Sequence, residues 1–103
     1  MIFSESPAFS ATVNSVLTED EYFELQDRLI DNPAEGDLIK GSNGLRKIRV
    51  ASKGKGKRGG ARVIYYWFVS PEKIQLCRIY EKSEQSNISK AEIKQITKEI
   101  GNE

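Results

Sequence analysis

Apolar and polar positions recur along this chain with two periods, and the change of period divides it into three stretches. The first is helical. Pro7 suits the first turn of a helix running to about Val16. A stronger helix follows: Thr18 and Glu21 have capping-box spacing, and Leu17 and Tyr22 have the spacing of a hydrophobic staple. Glu19, Asp20 and Glu21 crowd its first turn, where the helix dipole favours acids. Tyr22, Leu25 and Leu29 give it one apolar face, and Asn32-Pro33 stops it. A short strand at Ile2-Phe3-Ser4 precedes these helices, and a polar, glycine-containing loop runs on to Gly44.

The middle stretch has period two. Leu45 to Val50 alternates, with Ile48 and Val50 on one face and Lys47 and Arg49 on the other. Arg62 to Val69 is rich in β-formers and nearly continuously apolar, which predicts a central strand covered on both faces. Ser70-Pro71-Glu72-Lys73 reads as a turn with proline second, and Ile74 to Tyr80 as a third strand. Three consecutive strands with short links predict an antiparallel meander. The last stretch returns to the helical period. Ser89 and Glu92 form a second capping box, Ile88 and Ile93 a second staple, and Ile93, Ile96 and Ile100 the apolar stripe. Gly101 reads as the helix stop.

The chain has 103 residues, with neither an internal repeat nor a linker, and is expected to form one domain over 1–103. Its 38% hydrophobic and 30% charged residues are globular composition. No apolar stretch is long enough to cross a membrane. The N-terminus lacks the pattern of a secretory signal. Cys77 is the single cysteine, so no internal disulfide is expected and the cytoplasm is the simplest location. There is no histidine, which removes Ser-His-Asp and Cys-His nucleophile systems and histidine metal sites. The dispersed carboxylates suggest no metal site, and no cofactor is expected.

A net charge of +1 conceals strong segregation. Residues 1–45 carry nine acids and two bases, residues 46–62 eight bases and no acid, and residues 63–103 six of each. A field of that density attracts a polyanion, nucleic acid being the commonest; the same run also reads as a solvated hairpin tip. Within it, Gly54 to Gly59 spells G-x-G-x-x-G, but a strand follows instead of a helix, which excludes a dinucleotide fingerprint. The glycines fit a flexible loop whose lysines track phosphates. Lys47 and Arg49 share a strand face and Arg62 opens the next strand, with the register between them open. Converged, they would hold a phosphate and its extra transition-state charge, and crowding would favour a lysine base. Alternatively, they pair with the acidic second helix. Tyr65, Tyr66, Trp67, Phe68 and Tyr80 read mainly as core, with Tyr66 or Tyr80 available to a ligand. Cys77 reads as a small hydrophobe, and Asn87-Ile88-Ser89 is set aside as a glycosylation acceptor.

Gly44-Leu45-Arg46-Lys47-Ile48-Arg49-Val50, the Gly/Lys loop, Ala61-Arg62-Val63-Ile64-Tyr65-Tyr66 and Ile79-Tyr80-Glu81-Lys82 together resemble the RelE/HigB toxins of bacterial toxin–antitoxin systems, the HigB-like branch in particular. The order of elements agrees along almost the whole chain. The resemblance implies a small α+β, microbial ribonuclease-like fold: an antiparallel sheet with two N-terminal helices and a C-terminal helix. It implies an endoribonuclease that enters the ribosomal A site and cleaves translated mRNA without a metal, by 2′-hydroxyl attack on the adjacent phosphate. It implies as partners the 70S ribosome, mRNA, and a cognate HigA-like antitoxin with a DNA-binding helix-turn-helix, the complex repressing its own operon. The family's basic strand positions fall on Lys47 and Arg49, Lys47 being the better base because arginine stays charged. Its transition-state arginine falls on Arg62, and its basic residue after the last strand on Lys82. Arg46, Lys53, Lys55, Lys57 and Arg58 would grip ribosomal RNA. Ser83 stands where RelE-type members carry an arginine, and residues 84–90 lack their tyrosine. The competing expectations are a non-catalytic RNA- or ribosome-binding module of the same fold and a DNA-binding repressor subunit. The acidic second helix argues against the latter.

Overall fold

Serine and proline open the first helix. In the computed structural model, which describes residues 1–52, 60–85 and 87–101, Ser6 Oγ accepts from the Phe9 N–H at 3.2 Å and donates to the Cys77 carbonyl at 2.6 Å. One hydroxyl thus caps the helix and ties it to the sheet. The elements are β1 (Ile2–Glu5), α1 (Pro7–Val16), α2 (Glu19–Asp31), β2 (Asp37–Leu38), β3 (Arg46–Val50), β4 (Ala61–Phe68), β5 (Lys73–Glu81) and α3 (Lys90–Gly101). The predicted box at α2 is complete: the Thr18 side chain accepts from the Glu21 N–H, and the Glu21 side chain accepts from the Thr18 N–H.

The strands form one sheet in the order β1-β5-β4-β3-β2. The meander is as expected, with β2–β3, β3–β4 and β4–β5 antiparallel. The sheet as a whole is mixed, not antiparallel, because β1 pairs parallel with β5. The helices α1 and α2 carry the chain from β1 to the opposite edge, and four alternating strands return it beside β1 in the same direction. The loop before Gly44 also contains β2, two residues too short to show a period.

Helices α1 and α2 pack Phe9, Val13, Leu25 and Leu29 against Ile48, Val63, Tyr65, Leu76 and Ile79 on one sheet face. On the other face, Ile96 of α3, with Ile93 and Ile100 beside it, covers Leu45, Ile64, Cys77 and Tyr80. Strand β4 is therefore buried on both sides, as its apolar run predicts. A register shift between Ile64 and Tyr65 leaves Cys77 as the extra residue of β5. The 33–36 loop is pinned by the sheet: Tyr65 Oη donates to the Pro33 carbonyl at 2.8 Å and accepts the Gly36 N–H at 2.9 Å. A Cβ on Gly36 would lie 2.8 Å from the Tyr65 ring, so glycine is required there.

At α3, Ser89 Oγ accepts the Glu92 N–H at 3.1 Å, as its capping spacing predicts. The Glu92 carboxylate turns instead to Arg78, 3.5 Å away. Gly101 is the last helical residue and not the residue beyond it.

Candidate functional site

The register that the sequence left open places Arg49 directly opposite Arg62, and Arg62 directly opposite Tyr80. Cross-strand partners share a sheet face, so the three side chains form a row across β3, β4 and β5, spanning roughly 10 Å at the usual strand spacing. The next row on that face is Lys47, Ile64 and Arg78, with Asp37 of β2 opposite Lys47. This is the face that α3 partly covers, and the cover stops short of Arg49, which is exposed.

Two features of the row run against folding alone. Like charges placed directly opposite across a sheet destabilise it, yet Arg49 faces Arg62. Buried polar groups are normally satisfied, yet two here are poorly served. Arg62 is 4% exposed, and its guanidinium makes one weak hydrogen bond among the described residues, 3.4 Å from Nη1 to the Ala61 carbonyl. Tyr80 is 8% exposed, and its buried hydroxyl has no partner among them. Burial pushes the Tyr80 phenol above its ordinary pKa; Arg62 opposes this and Glu92 adds to it. The phenol therefore stays protonated at neutral pH and is a hydrogen-bond donor. A guanidinium and a phenol O–H side by side, each short of an acceptor, suit an oxyanion such as a phosphate.

Lys47 is half-buried, and its ammonium donates to Asn87 Oδ1 at 3.3 Å, which holds it beside the segment leading into α3. Lys82 follows β5 directly. Its N–H donates to the Gly60 carbonyl at 3.1 Å and its side chain is exposed, a cation at the rim next to the Arg62 row.

Residues 14–102 match the sequence model of a family described as the RelE toxin of the RelE / RelB toxin-antitoxin system. The chain belongs to the RelE toxin family. The structure of a double arginine-to-alanine variant of the E. coli toxin RelE, in the free state, has the same fold: TM-score 0.59 at 12% identity, covering 82% of this chain and 86% of that chain. As a RelE-family toxin of a toxin–antitoxin system, the protein has an antitoxin as its partner.

Within this RelE-family toxin the sequence-derived candidates separate into three groups. Lys47, Arg49 and Arg62 are brought onto one face, with Lys82 at its edge. Arg46 goes elsewhere: it pairs with Tyr65, and its guanidinium donates to the Ala34 and Gly36 carbonyls at 3.1 and 2.8 Å, bracing the loop on the α2 side. Lys53, Lys55, Lys57 and Arg58 lie outside the described residues. The pairing of the basic strand face with acidic α2 is not formed. Helix α2 packs with Ile48 and Val50, on the face opposite Lys47 and Arg49.

The aromatic run is core, as its strand position suggests. Tyr65 is fully buried; Tyr66 packs against the α3 cluster and Gly44, well along β4 from Arg62. One participant was half read in the sequence and one escaped it. Tyr80 reads there as core or as available to a ligand, and its place beside Arg62 depends on register. Asn87 gives no signal, because its role is a contact forty positions away. Among the described residues, no three or more of His, Cys, Asp and Glu are grouped to hold a metal ion.

Proposed function

We propose that this toxin is an endoribonuclease that cleaves mRNA in the A site of the translating ribosome, by metal-independent attack of a ribose 2′-hydroxyl on the adjacent phosphate. The observation that carries this is the Arg49–Arg62–Tyr80 row, in which two buried donors short of acceptors lie beside an exposed cation. Lys47, acting as the free amine, takes the 2′-hydroxyl proton and becomes the ammonium, with Arg49 beside it drawing the phosphate in. The 2′-oxygen bonds to phosphorus. Arg62 and the Tyr80 hydroxyl hold the equatorial oxygens as charge builds on them. The 5′-oxygen leaves and takes a proton, for which exposed Lys82, just after β5, is the candidate donor. The products are a 2′,3′-cyclic phosphate and a 5′-hydroxyl.

A protein acting on translating ribosomes works in the cytoplasm; no helix among the described residues is long and apolar enough to cross a membrane. The antitoxin is of the HigA-like kind, carrying the helix-turn-helix, and operator DNA is reached through the complex. That assignment, with placement in the HigB-like branch, rests on the sequence resemblance. Lys53, Lys55, Lys57, Arg58 and Arg46 were the expected ribosomal RNA contacts. With Arg46 committed to the 33–36 loop, the Gly/Lys run remains the candidate grip.

Primer extension on an mRNA in a reconstituted translation reaction, with and without ribosomes, tests the reading. Cuts that require both ribosomes and the wild-type protein are expected. Arrested ribosomes on intact mRNA would replace the reading with a non-catalytic ribosome-binding module.

A further inference from the structure

Helix α3 has two chemically different sides. Its acids turn toward Arg78 of β5. Arg78 Nη1 and Nη2 donate to the two carboxylate oxygens of Glu99 at 3.1 and 2.9 Å, and Arg78 Nε lies 3.5 Å from Glu92. Its lysines turn outward. Lys90, Lys94 and Lys98 recur at i, i+4 and i+8, the spacing of one helix face, and all are exposed. None of them forms an ion pair among the described residues, and neither does Lys40, exposed on the 39–44 turn. Arg78 has thus taken the two glutamates that would otherwise neutralise the helix surface.

Between α3 and that turn lies a cleft of about 540 Å³, rimmed by Lys40, Lys90 and Lys94 and floored by Gly41, Ala91 and Ile93. It is continuous with the row described above. Arg49 and Lys47 share one face of β3, about 7 Å apart. Leu45 belongs to the cluster under α3, beside Ile39 and Ile93. Asn87, which holds Lys47, lies three residues before Lys90. Lys47 and Asn87 therefore lead from the Arg62 row to the Lys90 end of the cleft. Asp37, opposite Lys47, is the acid beside this path and makes no ion pair among the described residues.

We propose that the Lys40–Lys90–Lys94 cleft is an exosite for the flanking part of the same single-stranded RNA whose phosphate sits at Arg62. The lysines meet backbone phosphates and the apolar floor takes a base or ribose. The occupant is an RNA strand and not an acidic protein segment, because the cleft continues the phosphate-binding face and its cations ring a floor of the size and character for a nucleotide. The inference rests on the reading of that face as an RNA site.

The test is fluorescence anisotropy with 2′-O-methylated oligouridylates, which cannot be cut, of two and twelve nucleotides. The full chain is compared with K40Q/K90Q/K94Q and with Arg62→Ala. The wild type is expected to bind the long strand more tightly than the short one. The triple variant should lose that gain by at least about tenfold at low salt, its log–log salt slope falling by roughly 2 for three lost phosphate contacts. It should bind the dinucleotide as the wild type does. No length-dependent gain, or a gain the triple variant keeps, overturns the exosite. Short-strand binding indifferent to Arg62→Ala instead refutes the Arg62 site and leaves the cleft standing. Loss of affinity for empty ribosomes or for an acidic antitoxin segment, with long-strand binding intact, would assign the lysines to those partners and overturn the proposal.

Discussion

Arg62 occupies a position where folding alone would favour an apolar side chain: a central strand, 4% exposed, opposite another arginine. Residues that break local rules in this way concentrate at functional sites. Tyr80 sharpens the point, because its orphan hydroxyl costs stability that a phenylalanine would not. Tyr80→Phe should therefore leave the melting temperature unchanged or raise it, by up to about 1 kcal/mol of stability, while slowing cleavage at least ~10-fold. A variant that melts lower and cuts normally would make Tyr80 a core residue. Arg46 is the converse case. Its bonds to the Ala34 and Gly36 carbonyls make Arg46→Ala a stability variant, expected to lose roughly 1.5–3 kcal/mol in denaturant titration. Its cleavage per folded molecule should stay near wild type. The same sequence motif supplied Arg46 and Arg49, and only strand alternation separates them: Arg46 points with Ile48 to the helices, and Lys47 with Arg49 to the open face.

At the scale of elements, the chain was legible wherever the signal was local. Helix α1 begins and ends where Pro7 and Val16 place it, and α2 where its capping box places it. Strands β3, β4 and β5 differ from expectation by one residue or so at their ends. What was not legible depends on partners far along the chain: the parallel pairing of β1 with β5, the two-residue β2, and the release of Glu92 from its box to Arg78. That last contact makes α3 a helix docked partly by charge. Arg78 holds the Glu99 carboxyl below the usual glutamate range, chiefly through its hydrogen bond; burial opposes this, and a hydrogen bond from Gln95 and the Arg78 charge add to it. A depressed carboxylate pKa adds stability above the unfolded value, about 4.3, and loses it as pH falls through the folded value. Glu99→Gln should thus lower stability in thermal melts at pH 6–7, by less than about 1 kcal/mol for so exposed a pair, with the gap closing as the pH falls below the unfolded glutamate value of about 4.3. A gap independent of pH would show that the pair contributes packing and not charge.

Over the whole molecule, acid and base are sorted onto opposite sides of one sheet. The acidic α2 lies on one face, and Lys47, Arg49 and Arg62 lie on the other, with the α3 lysines outward beyond them. The charge run in the sequence announced a polyanion; it did not announce that α3 extends the cationic surface, because Glu92 and Glu99 make that helix look neutral until Arg78 is seen to hold them. Such a face should bind ribosomes with steep salt dependence. Neutralising Lys53, Lys55, Lys57 and Arg58 should weaken binding and flatten the slope in sedimentation assays. An unaltered slope would assign the grip to the described face alone.

The most direct test of the central claim is the single-turnover cleavage rate of ribosome-bound mRNA by wild type and Arg62→Ala, with circular dichroism melts of both. The account predicts a fall of at least ~10²-fold, the usual cost of losing a transition-state oxyanion contact, with Arg62→Ala still folded at the assay temperature. A folded Arg62→Ala protein that cuts at the wild-type rate would contradict it.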